Sequence, residues 1–302
     1  MTVSSQKPLL LTADWHLDPR HAYRMDVVDY VKRQDVSRIF VLGDVLDRPY
    51  GQPVEWVLDV FSQLDDPRIT LLLGNHDRKD GGRSLLELLP NVVNDHAVVD
   101  GVLCIAHRRD PGDIPEIVAR HPECALVLLH QPAVGARLEN GHRLDSGLSV
   151  EALLQRFPDR VFVSGDIHTP QQLQQRYIYV GAPHHTAYGS DFTPRVLFAD
   201  LDSRRLRPVL TGLWRKSVVH DVPEVHPRVL YRVVGESVEQ VDRVAAAIAE
   251  AGGTVEETVV AVESKPVDSI EEMSSSPREL YMQFCACHDV DESLRDYGMR
   301  YL

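Results

Sequence analysis

The chain is poor in cysteine, with four in 302 residues. That excludes the disulfide framework of a small secreted domain, and a chain of this length buries enough surface not to need one. Cys104 and Cys124 lie inside apolar runs, while Cys285, Cys287 and His288 form a C-x-C-H that lacks the spacer and the second pair of a zinc knuckle. Packed thiols are therefore expected. Long apolar runs are missing too: stretches such as Ala125–Leu129 and Val102–Ala106 cover five residues each, against the roughly 20 needed to cross a bilayer. No membrane-spanning segment is expected. Residues 1–8 are polar and the apolar run behind them covers only Leu9–Leu11, which argues against a secretory signal and for a cytoplasmic protein. Positive charge is in deficit, because 32 Lys and Arg against 45 Asp and Glu give −13, and from Arg215 onward 9 against 17 give −8. Such a chain does not grip nucleic acid through its overall field. It has no internal repeat or low-complexity segment, and 43% hydrophobic with 25% charged residues is the mix of a folded globular protein.

What is present is a regular alternation. Up to about residue 214, short β-rich apolar runs alternate with amphipathic stretches, the pattern of βα units around a buried sheet. Strands are predicted at 9–13, 38–42, 69–73, 125–129 and 161–164, and helices at 23–34, 53–63, 114–120 and 150–157. In the second helix Val54, Val57, Leu58, Phe61 and Leu64 have helical spacing. Three further strands, at 177–180, 196–201 and 206–210, read as antiparallel. After the proline-bearing Val222–Arg228 a fresh pattern of strand (229–234), helix (238–250), Gly252-Gly253 and strand (254–262) marks a small βαβ-like unit. A polar stretch at 264–277 then leads into a last helical segment at 278–288. Two domains are expected, 1–214 and 215–302.

The chemistry falls at the carboxyl ends of the strands. Leu9–Ala13 runs into Asp14-Trp15-His16, Arg38–Leu42 into Gly43-Asp44-Val45-Leu46-Asp47, and Ile69–Leu73 into Gly74-Asn75-His76-Asp77. Ala125–Leu129 runs into His130, and Val161–Ser164 into Gly165-Asp166-Ile167-His168. Open α/β sheets place their sites at these ends. One Asp or Asn after a strand is ordinarily a turn or cap residue, but five such segments in order point to a site. Asp, Asn and His offer oxygen and imidazole nitrogen without thiolate, which suits Mn, Fe, Mg or Zn. A pair of such ions sharing a carboxylate activates a bridging water and clamps the attacking and leaving oxygens of a phosphoryl group.

The series D-x-H, G-D-x-x-D, G-N-H-D, H, G-D-x-H resembles the pattern of the calcineurin-like metallophosphoesterase superfamily over residues 9–200. The resemblance implies an α/β fold, a four-layer αββα sandwich, followed here by a small C-terminal α+β capping domain. It implies one metal on Asp14, His16, Asp44 and His168, and a second on Asp44 as bridge with Asn75, His130 and Asp166. His76 matches the histidine that contacts the scissile phosphate and protonates the leaving oxygen, with Asp77 beside it in the catalytic set. The alternative for these two is support of the ligands from behind. One departure stands out: Asp166 occupies the place of a histidine. As a ligand it would bring the carboxylates to three, favour hard ions such as Mn²⁺ or Mg²⁺, and make the bridging water ionise at higher pH. Otherwise it is too short to reach and leaves the second metal weakly held.

Gly165–Gln171, followed by Tyr177-Ile178-Tyr179-Val180-Gly181-Ala182-Pro183 and Tyr188-Gly189, resembles the nuclease branch, specifically the exonuclease subunit of bacterial SbcCD complexes and its phage-encoded relatives. That resemblance implies a Mn²⁺-dependent exo- or endonuclease of DNA repair or recombination, a DNA substrate, and an SbcC-like ATPase partner whose basic surface would offset the acidity of this chain. Leu280, Met282, Phe284, Tyr297 and Leu302 would face that partner or pack within the cap. A homodimer through the helices at 23–34 and 53–63 is implied as well. Arg20, Arg48, Arg78, Lys79, Arg108 and Arg109 are candidates for a phosphate track, and His184 and His185 for the rim of the site. The alternatives are a stand-alone nucleotide phosphodiesterase, a phosphoprotein phosphatase, or a catalytically weak metal-bound scaffold.

Overall fold

The computed structural model describes residues 7–79, 82–201 and 203–261. The chain up to Val260 forms one compact unit. Its strands are β1 (Leu9–Thr12), β2 (Arg38–Leu42), β3 (Ile69–Leu72), β4 (Val92–Val93), β5 (His96–Val99), β6 (Val102–Ile105), β7 (Leu126–His130), β8 (Val161–Gly165), β9 (Gln171–Gln174), β10 (Tyr177–Tyr179), β11 (Arg195–Asp200), β12 (Arg205–Leu210), β13 (Arg215–Val219), β14 (Val229–Gly235) and β15 (Thr254–Val260). Its α-helices are α1 (Asp26–Lys32), α2 (Val54–Leu64), α3 (Ile114–Arg120), α4 (Val150–Arg156) and α5 (Val238–Glu250).

Two six-stranded sheets carry the site, ordered β12-β11-β1-β2-β3-β4 and β5-β6-β7-β8-β10-β9. Within them β1, β2, β3 and β4 run parallel, as do β6, β7, β8 and β10, with antiparallel partners toward the edges. Because strand side chains alternate, an apolar run buried on both faces feeds two different cores. Leu9, Leu11, Phe40, Leu42, Cys104, Leu128 and Val163 meet between the sheets. Leu10, Ile39, Val41, Ile69 and Leu71 face outward beneath α1 and α2, with Val27, Val31, Val60 and Leu64. Leu103, Ile105, Val127, Leu129 and Phe162 do the same beneath α3 and α4. The result is the expected helix–sheet–sheet–helix sandwich.

Cys104 and Cys124 are free, buried thiols. Three sequence expectations need correction. The segment 177–179, read as antiparallel, is antiparallel to β9 but joins β8 in parallel register, since the chain turns back through β9 before entering it. The apolar stripe read on α2 is only partly its buried face: Leu64 is buried and Phe61 packs on the core beside Val60, which lies outside the stripe, whereas Val54 and Leu58 are exposed. The helix expected from Tyr23 begins as a 3₁₀ turn at Ala22–Met25. The runs at β4, β5, β9 and β13 are short or polar edge segments without a strong period-2 signal, and β6 is a four-residue interior strand buried on both faces, which carries no alternation at all.

A third sheet, β13-β14-β15, is parallel and carries α5, whose Val241, Val244 and Ile248 close a separate small core with Val229, Tyr231 and Val233. Ser237 caps α5 by accepting from the Gln240 amide. Among the described residues no helix is long and apolar enough to cross a membrane. The segment 278–288, with Leu280, Met282, Phe284, Cys285, Cys287 and His288, and the tail with Tyr297 and Leu302 lie outside the described residues.

Candidate metal centre

The parallel strands of both sheets end at the same rim of the sandwich, and there the polar residues converge. Asp14 and His16 follow β1, Asp44 follows β2, Asn75 and His76 follow β3, His130 ends β7, and Asp166 and His168 follow β8. Possible ligand atoms gather in three overlapping groups, Asp14–His16–His168, His16–Asp44–His76 and Asp14–Asp44–His130, within each of which they lie no more than 4.8 Å apart. Asn75 Oδ1 is 2.9 Å from His130 Nε2, and Asp166 Oδ1 is 3.6 Å from the same nitrogen. Every ligand position read from the sequence thus falls in one cluster.

The backbone bends sharply to achieve this. Asp14, His16, Asp44 and Asp166 have φ of 56°, 46°, 52° and 85°, a region that costs a non-glycine residue roughly 1–2 kcal/mol. Cross-loop hydrogen bonds hold them: Asp14 N donates to Gly43 O at 3.1 Å, His16 N to Asp44 O at 2.9 Å, and Asp166 N to Asp14 Oδ1 at 3.0 Å. Two glycines leave the necessary room. A Cβ on Gly43 would stand 2.1 Å from His130 Nδ1, and one on Gly74 2.1 Å from Asp44 Oδ1.

The donor atoms fit divalent cations. His130 Nδ1 faces Leu42 O at 2.6 Å, and His168 Nδ1 faces Thr186 Oγ1 at 3.0 Å and Glu139 Oε1 at 3.4 Å. His16 Nδ1 faces Asp47 Oδ1 at 3.5 Å. Protons placed on these Nδ1 atoms leave the Nε2 lone pairs inward, and those of His16 and His168 confront each other at 3.0 Å. Asp14 Oδ2 is buried with no hydrogen-bond partner. Without a cation, one of the facing nitrogens must take up a proton to satisfy the other, and the orphaned carboxylate oxygen has no donor; a bound cation satisfies all three together.

Electrostatics agree. Burial pushes the Asp14 carboxyl up to about 7 and raises Asp166, and it pushes His16 down to about 4. Burial opposes ionisation of Asp44 and His130 as well, but each overcomes it through the other: Asp44 is held below the usual carboxylate range and His130 raised to about 10. Carboxylates packed this closely are relieved by positive charge.

The two catalytic candidates part company. His76 is exposed, its amide donates to Asp44 Oδ1 at 2.9 Å, and its Nδ1 contacts Asp47 O at 3.0 Å, which leaves Nε2 free of that contact. Asp77 is fully buried, and its two oxygens accept from the amides of Leu46 and Gly74, each at 2.8 Å. It ties the loop after β2 to the loop after β3 and does not reach the face of the site. His184 and His185 are buried, His185 between Phe192 O and the Lys216 amide.

Several residues of the site escaped sequence reasoning. Asp47, the last residue of G-D-x-x-D, orients His16, and that motif was its signal. Arg24, Glu139 and Thr186 had none. Arg24 is buried and donates to His16 O at 2.6 Å, Asp47 Oδ1 at 3.3 Å and Thr186 O at 3.3 Å, so one guanidinium braces the supports of both facing histidines.

This rim of oxygen and imidazole donors on an αββα sandwich is that of a metal-dependent phosphoesterase. Residues 7–170 match the calcineurin-like phosphoesterase family, and the chain belongs to it. A comparison with curated proteins found none that matches. Among solved structures, an archaeal phosphodiesterase is similar at 12% identity and a TM-score of 0.36, covering 67% of this chain and 99% of its own. The family uses divalent metals, and the clustered donors supply candidate places for two.

Proposed function

We propose that the protein is a dinuclear-metal phosphodiesterase acting on DNA, the nuclease subunit of an SbcCD-like repair or recombination complex. The observation that carries hydrolysis is the donor cluster, with the orphaned Asp14 Oδ2 and the facing His16 and His168 nitrogens. The DNA substrate is supported by the resemblance of residues 165–189 to the nuclease branch and by the small α/β sheet that follows the sandwich.

Asp14, His16, Asp44 and His168 would hold one ion, and Asp44, Asn75, His130 and Asp166 the other. Two such ions supply Lewis acidity toward a phosphoryl group and activate the attacking water. The chain does the rest. Asp47 and Glu139 orient His16 and His168, and Asp77 and Arg24 position the loops that carry the ligands. His76, exposed and steered by Asp47 O, contacts the scissile phosphate and, when protonated, delivers the Nε2 proton to the leaving 3′-oxygen. Mn²⁺ is the favoured ion, because Asp166 adds a third carboxylate to the set. An ATPase subunit and a second copy of this chain are the proposed partners, the latter on the face where α2 exposes Val54 and Leu58.

The test is Mn²⁺-dependent cleavage of linear double-stranded DNA and of a small aryl phosphodiester. Asp44→Ala should abolish both activities together with metal binding. His76→Ala should lower kcat by about 10²-fold while both ions stay bound, whereas loss of an ion would make His76 a ligand. The charge of −13 favours a second reading, a phosphodiesterase of small nucleotides, and hydrolysis of the aryl ester without DNA cleavage, with or without an ATPase partner, would establish it.

A further inference from the structure

Beside the metal centre, between the loops that follow β3 and β6, lies a cleft of about 480 Å³. It continues the site directly: Asn75 lines it, and His107 in its wall has its ring 6.1 Å from that of His130. On the opposite flank, Thr186 and Glu139 close against His168. A substrate that extends past one phosphodiester has room on the cleft side.

The cleft carries unbalanced positive charge. Arg108 is neutralised by Asp113 at 2.7 Å and by Asp95. Among the described residues Arg78 binds only the carbonyl oxygens of Asn94 and His107, which steady the guanidinium without cancelling its charge. Lys79 and Arg109 are exposed, and their side chains have no partner among the described residues. The remaining carboxylate, Asp110, turns Oδ1 to the Gly112 amide at 2.9 Å. Among the described lining residues four cationic groups thus meet three carboxylates, a net charge of +1, with Arg78, Lys79 and Arg109 free of carboxylate partners, in a chain whose overall charge is −13. We propose that this cleft binds a second phosphate of the substrate, the one adjoining the scissile phosphodiester in a nucleic-acid strand, with Arg78, Lys79 and Arg109 as its donors. This rests on the nucleic-acid reading above and narrows it to substrates with neighbouring phosphates. Local cations of this kind let an acidic protein hold a polyanion at one place.

The test compares, by calorimetry on the Mn²⁺-loaded protein, a nucleoside 5′-monophosphate with the nucleoside 3′,5′-bisphosphate. The native protein should bind the bisphosphate about tenfold more tightly. The double variant Lys79→Ala/Arg109→Ala should lose that preference, while Arg33→Ala/Arg120→Ala, which removes equal charge from exposed positions just after α1 and at the end of α3, should keep it. Equal affinities in the native protein, or a preference that survives the first double variant, would overturn the subsite. If that preference depends on Lys79 and Arg109 but oligonucleotides are not cleaved, the subsite stands and the nuclease reading fails.

Discussion

Asp166 is where this chain departs from the histidine of the family pattern, and its Oδ1 lies 3.6 Å from His130 Nε2, at the edge of the donor cluster. A carboxylate there favours hard ions and an imidazole favours zinc. Asp166→His should therefore shift the metal titration from Mn²⁺ toward Zn²⁺, and an unchanged profile would remove Asp166 from the ligand set. Arg24 offers a second test at this scale. Its three hydrogen bonds brace Asp47 and Thr186, the Nδ1 partners of His16 and His168. Arg24→Met should weaken Mn²⁺ binding by about tenfold, and Arg24→Lys, which keeps the charge but loses the fork, should restore only part of it.

At the scale of the elements, the loops matter more than the strands. The β1 and β2 loops are locked together by backbone hydrogen bonds while Asp14, His16 and Asp44 sit at positive φ. Gly74 leaves room for this. Gly74→Ala would press a Cβ into Asp44 Oδ1 and should weaken metal binding as well as destabilise the fold by about 1–3 kcal/mol, measured by calorimetry and denaturant unfolding. A different bond braces the turn before β3: Arg68 donates to Asp66 and also to the carbonyl oxygens of Lys32 and Gln34 at the end of α1. That pairing holds Asp66 below the usual carboxylate range. A depressed carboxylate stabilises the fold above its unfolded value of about 4 and loses the contribution as pH falls through the folded one. Asp66→Asn should accordingly cost about 1 kcal/mol at pH 7, with the difference from the native protein fading below about pH 4 in unfolding measurements.

For the whole molecule, the metal centre lies at the rim where the two sheets meet, so ligand binding joins one half of the sandwich to the other. Saturating Mn²⁺ at about 100 times Kd should stabilise the protein by about 2.7 kcal/mol. The expected result is a Tm raised by several degrees and returned by a chelator. Asp44→Ala should show no such rise. The small sheet is tied to the sandwich near the site: Tyr188 donates to Glu256 at 2.6 Å, a carboxylate that Lys216 of the same sheet holds at 2.7 Å, and Trp214, just before β13, donates to Asp26 at 2.8 Å.

How much of this was legible in the chain follows from the range of the forces involved. Apolar runs of strand length and the polar residues at their carboxyl ends are local signals, and they sufficed for the α/β class, the central strands and all the residues now found in the donor cluster. Direction of pairing is not local. Tyr177–Tyr179 runs antiparallel to β9 and parallel to β8, and of the apolar residues on α2 Val54 and Leu58 are exposed while Phe61 and Leu64 pack on the core beside Val60. Likewise Arg24, Glu139 and Thr186 carry no motif, and only folding brings them against the histidines. The sequence by itself determined which side chains offer electrons to a metal. The tertiary structure alone decided which carbonyls and carboxylates orient them, and that Asp77, beside His76 in the chain, is buried as a tether while His76 is exposed.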